Sequence, residues 1–153
     1  DEGTAKLKAA LDARQDPKLV IVGRSSAPAI TGIEDAIARG KAYEAVGVDA
    51  MFYAGIKTRD EIEAVSDALS IPLILGSTPP ELADFDYLSS KGVRIALQGH
   101  IPFMVAVKTV YDTLKDMRHG ALPGDLKNRH SPELLKQVTR NATYRKWIEE
   151  YLG

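Results

Sequence analysis

Two kinds of segment alternate along this chain. Short apolar runs rich in branched residues lie at Lys18–Gly23, Val48–Ala54, Pro72–Gly76 and Val93–Gln98, each bounded by Gly, Pro or Ser. Runs that are largely apolar, with no strict alternation, mark strands buried on both faces of a parallel sheet. Between them, apolar residues recur at helical spacing. Ile33, Ile37, Tyr43 and Val46 mark one face of a helix that Gly47 ends. Ile62, Val65 and Leu69 mark the next, after a Thr58 N-cap with Glu61 three residues on. Leu82, Phe85 and Leu88 form a looser stripe before Gly92, and Phe103, Val107, Val110, Leu114 and Met117 form the longest.

Successive strands start roughly 20 to 30 residues apart, the span of one βα unit with short loops. Strands that alternate with helices pair in parallel, which predicts an α/β fold. No Gly-rich dinucleotide fingerprint follows the first strand, which counts against a doubly wound sheet. Four βα units make half of a (β/α)8 TIM barrel, expected over residues 1–120. The chain opens at Asp1 inside a helical pattern, which suggests a piece of a longer chain.

Past Gly120 the pattern changes. Leu122-Pro123-Gly124 reads as a linker, and Ser131-Pro132-Glu133 as a cap with proline at the first helical position. Tyr144, Trp147, Ile148, Tyr151 and Leu152 then form a stripe on a terminal helix. Residues 121–153 are thus expected to be a helical tail. Its aromatic face needs a cover, either the subunit's own barrel or a neighbouring subunit.

Composition narrows the classes. The 153 residues are 44% hydrophobic with a formal net charge of −1, which suits one domain with a buried core. No basic stripe suggests a nucleic-acid partner, no apolar run is long enough to span a membrane, and no signal-peptide pattern opens the chain. A cytoplasmic protein is expected. Cysteine is absent, which excludes disulfides, thiolate metal sites and a cysteine nucleophile from this segment.

Barrel active sites form at the C-terminal ends of the strands. The first run leads into Gly23-Arg24-Ser25-Ser26. An arginine leaving a buried strand meets either an anionic substrate, whose carboxylate its fork of donors matches, or an acidic neighbour in a structural ion pair. The last run ends Gln98-Gly99-His100, with Ile101-Pro102 opening a helix. His100 suits an oxyanion donor or general acid–base, or else a helix cap. Ser77 and Thr78 follow the third strand beside Gly76, and could bind carboxylate oxygens or serve as ordinary loop residues. His119 and His130 read as structural or solvated. No paired acidic residues stand at a strand's C-terminal end, and Asp49 opens its strand at the opposite rim, so no metal ligand is expected in this segment.

Leu19-Val20-Ile21-Val22-Gly23-Arg24-Ser25-Ser26-Ala27 resembles a family strand of apolar residues followed by A-R-T-D-A. Ile33-Glu34-Asp35-Ala36-Ile37-Ala38-Arg39 and Ala42-Tyr43-Glu44-Ala45-Val46-Gly47-Val48-Asp49-Ala50-Met51-Phe52 are similar to the helix and strand that follow in that family. On these motifs the chain resembles the isocitrate lyase/phosphoenolpyruvate mutase superfamily, from the helix before the fifth barrel strand to the C-terminus. The resemblance implies the C-terminal half of the barrel, strands five to eight. The lyases and the mutase typically carry a glutamate where this chain has Ala54, an N-M-T-like stretch at Gly76-Ser77-Thr78, and a P-L-S ending at Gln98-Gly99-His100. The histidine ending, with Val107-Lys108-Thr109-Val110-Tyr111-Asp112-Thr113-Leu114, is similar to the oxaloacetate decarboxylase branch.

That branch implies Mg²⁺-dependent decarboxylation of oxaloacetate, or a close 2-oxo diacid, to pyruvate and CO₂ through a metal-stabilised enolate. Arg24 and His100 would be catalytic, with Ser77 and Thr78 beside them in substrate binding. The Mg²⁺ ligands would belong to the first four βα units. The resemblance also implies a homotetramer that exchanges C-terminal helices. Two other readings stand beside it. One is a carbon–carbon lyase of the same superfamily acting on isocitrate-like or methylisocitrate-like 2-hydroxy acids. The other is a noncatalytic half-barrel that binds or assembles.

Overall fold

The computed structural model describes residues 1–127 and 129–153. Two units divide the described chain, Asp1–Ile101 and Pro102–Gly153. In the first, helix α1 (Glu2–Asp12) precedes strand β1 (Val22–Ser25), the short helix α2 (Ala27–Ile30) and helix α3 (Ile33–Ala45). Strand β2 (Ala50–Tyr53), helix α4 (Arg59–Ala68) and strand β3 (Leu73–Leu75) follow. A single 3₁₀ turn (Pro80–Leu82) and helix α5 (Phe85–Ser90) lead to strand β4 (Val93–Ala96).

The strands pair in parallel in the order β1-β2-β3-β4. Parallel crossovers are almost always right-handed, so an order without reversal puts every connecting helix on one face. A doubly wound sheet needs a reversal, and this sheet has none. The register aligns Gly23, Met51 and Leu73 in one row and Ser25, Tyr53 and Leu75 in the row two positions on. All six are buried, and with Ile62, Val65 and Leu88 from the helices they face the core. Intervening positions point to the other face: Arg24, Phe52, Ile74 and Ile95 share one row there, less covered than the core rows. In a closed barrel that face is the interior.

Local chemistry sets most helix ends where the sequence places them. Thr58 and Glu61 form the reciprocal capping box at α4, and Asp84 accepts from the Tyr87 N–H at α5. The chain turns at positive φ at Gly47 and Gly92, between helix and strand. Phe85, expected on a buried stripe, opens α5 exposed, while Leu82 and Leu88 carry that stripe's burial.

The first strand starts later than the apolar run suggests. Asp16 holds a turn by accepting the Lys18 N–H at 2.8 Å, and Leu19 and Val20 are exposed. Pairing begins only where Asp49 meets Ile21. Its backbone N–H donates to the Ile21 carbonyl at 2.9 Å, and its carboxylate accepts the Ile21 N–H at 2.7 Å. Arg14 completes the clasp at 2.8 Å. The Ile21 N–H, then Arg14, hold the Asp49 carboxyl below the usual carboxylate range. Asp49 thus fastens the N-terminal rim, opposite the rim where barrel chemistry occurs.

In the second unit, helix α6 (Ile101–Arg118) starts at the unit boundary, and α7 (Pro132–Val138) and α8 (Asn141–Tyr151) follow. Ser131 caps α7 by accepting the Leu134 N–H, with Pro132 at the first turn as the sequence predicts. The stripes expected on α6 and α8 are present but uncovered: Phe103, Val107, Val110, Leu114, Tyr144, Trp147, Ile148 and Tyr151 are all exposed. Tyr144 and Trp147 meet edge to face at 5.4 Å between centroids. No helix among the described residues is long and apolar enough to cross a membrane.

Candidate active site at the strand C-terminal ends

Arg24 is the third residue of β1, inside the strand and not beyond its end. Strand alternation turns Gly23 and Ser25 into the core and Arg24 to the opposite face, where its side chain is exposed. Its guanidinium lies 5.5 Å from the centroid of the Phe52 ring on the adjacent strand. Among the described residues it has no carboxylate within ion-pair distance, so the expected alternative of a structural ion pair is not realised here. Ser25, its neighbour in the motif, is buried and accepts the Ala27 N–H at 3.1 Å. That hydroxyl therefore turns the chain out of the strand into α2.

The loop after β2 carries no acid. Ala54 stands at the first position past the strand, and Gly55 follows at φ +96°. A Cβ on Gly55 would lie 2.5 Å from the Ala29 Cβ, so this loop packs tightly on α2.

The loops after β3 and β4 meet. Gln98 Nε2 donates to Thr78 Oγ1 at 3.3 Å, which ties the two candidate segments together. Gly99 turns at φ +66°, where a side chain would be strained, and its Cβ position lies 3.9 Å from the Ser77 Cβ. The turn delivers an exposed His100 directly ahead of α6. Thr78 and Gln98 are thereby linked, with Ser77 and His100 beside them. Arg24 belongs to the row through Ile74, so Ser77 and Thr78 lie farther along the strand direction on the same rim.

Phe52 is the residue that sequence reasoning passes over. It reads there as one more apolar strand position, and only the register places it between Arg24 and Ile74. His119 behaves as a helix-end residue: its Nδ1 lies 2.7 Å from the Lys115 carbonyl. That distance requires the ring to donate from Nδ1.

Among the described residues, no three His, Cys, Asp or Glu side chains gather as a metal site. Asp49, which directly precedes β2, is committed to Ile21 and Arg14 at the opposite rim. These residues do not by themselves fit a Mg²⁺ ion.

The phosphoenolpyruvate phosphomutase family profile matches residues 1–118, more than half of the chain. The chain belongs to that family. Two relatives named oxaloacetate decarboxylase, from Bradyrhizobium sp. strain ORS 278 and Rhodopseudomonas palustris strain CGA009, are each 50% identical to it over all 153 residues. Those residues cover 53% of each relative, so the chain spans about half the length of the curated relatives it matches. Among solved structures, phosphonopyruvate hydrolase superposes with a TM-score of 0.77 at 27% identity, over 98% of this chain and 56% of that one. 2,3-Dimethylmalate lyase, a member of the phosphoenolpyruvate mutase/isocitrate lyase superfamily, superposes at 0.79 with 23% identity, over 99% and 54%. The superfamily and the half-barrel fold expected from the motifs are both borne out. For this phosphomutase-family chain, the A-R-T-D-A-like stretch is the first strand of the sheet and its turn into α2.

Proposed function

We propose that this chain supplies one half of the active-site rim of an enzyme that decarboxylates oxaloacetate, or a close 2-oxo diacid, to pyruvate and CO₂. The observation that carries the reading is Arg24: a permanent cation on the interior face, held over an aromatic ring and paired with no carboxylate among the described residues. A dicarboxylate is the counter-charge such a group lacks, and its planar fork matches a carboxylate in two parallel hydrogen bonds. Identity of 50% over the whole chain to proteins named oxaloacetate decarboxylase, of which it spans 53%, supports the substrate class.

In the reaction, the bond between C3 and C4 of oxaloacetate breaks. Its electron pair becomes the second C2–C3 bond, the C2 carbonyl π pair shifts onto the C2 oxygen, CO₂ leaves, and protonation of the enolate at C3 then gives pyruvate. Negative charge grows on the C2 oxygen, so a fixed cation or donor near that atom lowers the barrier. Arg24 binds the C1 carboxylate or that oxygen. His100, with Ser77 and Thr78, orients the departing C4 carboxylate, and the Gln98–Thr78 bond holds these two loops in register. Mg²⁺, if the whole enzyme uses it, takes its ligands from outside the described residues.

The test is pyruvate release by the whole enzyme with Mg²⁺, offered oxaloacetate and methylisocitrate in parallel. Turnover of oxaloacetate alone is expected. His100→Ala is expected to lower kcat/KM about a hundredfold, the scale for a group that orients or protonates a reacting atom. Turnover of methylisocitrate instead would move the protein to the lyases, and turnover of neither would remove the catalytic reading.

The tail is proposed as an assembly element that packs on a second copy in a tetramer. Its support is the uncovered stripe of Tyr144, Trp147, Ile148 and Tyr151 on α8. Sedimentation of Trp147→Glu is expected to show a smaller species than wild type; an unchanged assembly would reject the proposal.

A further inference from the structure

Resting on the proposed role of Arg24, we infer that Phe52 is a positioning residue for its guanidinium, and that Gly76 exists as glycine to leave room for the Phe52 ring. Three adjacent strands contribute one part each. β1 carries Arg24, β2 carries Phe52 as its register partner, and Gly76 follows β3. The guanidinium sits 5.5 Å from the ring centroid, within the range where a cation is drawn to an aromatic face. At the tip of the same ring, a Cβ built on Gly76 would lie 3.1 Å from Phe52 Cζ.

The backbone does not need glycine there. Among the glycines with φ in the left-handed region, Gly76 is absent, so alanine suits its conformation. Its next nearest neighbours, the Ala54 Cα and the Tyr53 carbonyl oxygen, stand at an ordinary 3.5 Å. The ring is the one close neighbour that a methyl group would disturb. An added methyl would press the ring, and the ring would carry that displacement to the guanidinium it supports.

A long, exposed arginine has many rotamers, and ordering them on substrate binding costs free energy. A ring already against the guanidinium removes part of that cost before substrate arrives. The residue acts through Arg24 and touches no reacting atom, so its signature is dependence on Arg24 geometry.

A double-mutant cycle in the whole enzyme tests this, with kcat/KM for oxaloacetate as one readout. The second is the NMR shift of the Arg24 side-chain N–H, which the ring current of Phe52 moves upfield. Phe52→Leu is expected to lower kcat/KM about three- to tenfold and to erase the upfield shift. Gly76→Ala is expected to lower kcat/KM comparably and to change the shift. The double variant should be no worse than Phe52→Leu alone, because without the ring the methyl has nothing to push. Additive losses, or Phe52→Leu at wild-type kcat/KM, overturn the inference. If wild type turns over no oxaloacetate, the proposed function fails, and the shift alone decides the positioning: loss in Phe52→Leu supports it, retention overturns it.

Discussion

Arg24→Ala is expected to lower kcat/KM for oxaloacetate in the whole enzyme by about a hundred- to a thousandfold, the range found when one donor to a developing oxyanion is removed. Arg24→Lys is expected to recover only part of this. A lysine keeps the charge but loses both the planar fork and the flat surface that rests on Phe52. Thermal stability should scarcely change in either variant. Arg24 is exposed, engages no carboxylate among the described residues, and adds nothing to the core face of β1. That contrast separates a functional arginine from a structural one, because removing a structural ion pair would lower the melting temperature and leave KM alone. Steady-state kinetics with thermal denaturation of the same samples measures both. Activity within threefold of wild type in Arg24→Ala would remove the residue from the site.

How much of this was legible in the sequence depends on what kind of signal each feature leaves. The strand order, the capping box at Thr58 and Glu61, and the proline-opened α7 follow from short-range pattern, and the structure places them where the pattern does. The start of β1 does not, because Leu19 and Val20 are apolar yet lie outside the sheet. What decides that boundary is Asp49, nearly thirty residues away, and no local pattern carries such a contact. The rim residues were legible for a similar reason in reverse. Arg24, Ser77, Thr78 and His100 are polar residues at the ends of apolar runs, which is conspicuous. Phe52 has no such contrast with its surroundings, and only the register Arg24↔Phe52↔Ile74 reveals it. The Gln98–Thr78 bond is likewise tertiary, joining loops that are twenty residues apart.

The largest stability effect is expected at Gly40, which lies in the middle of α3 at a buried position. Glycine inside a helix normally costs about 0.5–1 kcal/mol relative to alanine, so Gly40→Ala would stabilise an exposed helix. Here the sign reverses. An added Cβ would run into the Tyr53 hydroxyl oxygen and would stand 2.9 Å from Leu69 Cδ1. Tyr53 has no slack to offer, being fully buried with its hydroxyl donating to the Ala36 carbonyl at 2.8 Å. Overpacking costs about 1–3 kcal/mol, and stranding a buried hydroxyl costs about 1–3 kcal/mol more. Less the helix gain, Gly40→Ala should therefore destabilise by about 1–5 kcal/mol in denaturant unfolding. Tyr53→Phe alone should cost only about 1 kcal/mol, because the Ala36 carbonyl keeps its helical partner. Combined, Gly40→Ala and Tyr53→Phe should be less damaging than the sum of the two, since the phenylalanine removes the oxygen that the methyl meets. The same hydroxyl gives an alkaline signature. Burial, reinforced by Glu44, pushes its pKa up to about 12, from an ordinary 10.0. The folded state holds that proton where the unfolded chain releases it, so stability is fully present below about pH 10 and falls as pH rises toward 12. Tyr53→Phe should flatten that decline, and an unchanged alkaline slope would mean that Tyr53 titrates as freely as a surface tyrosine.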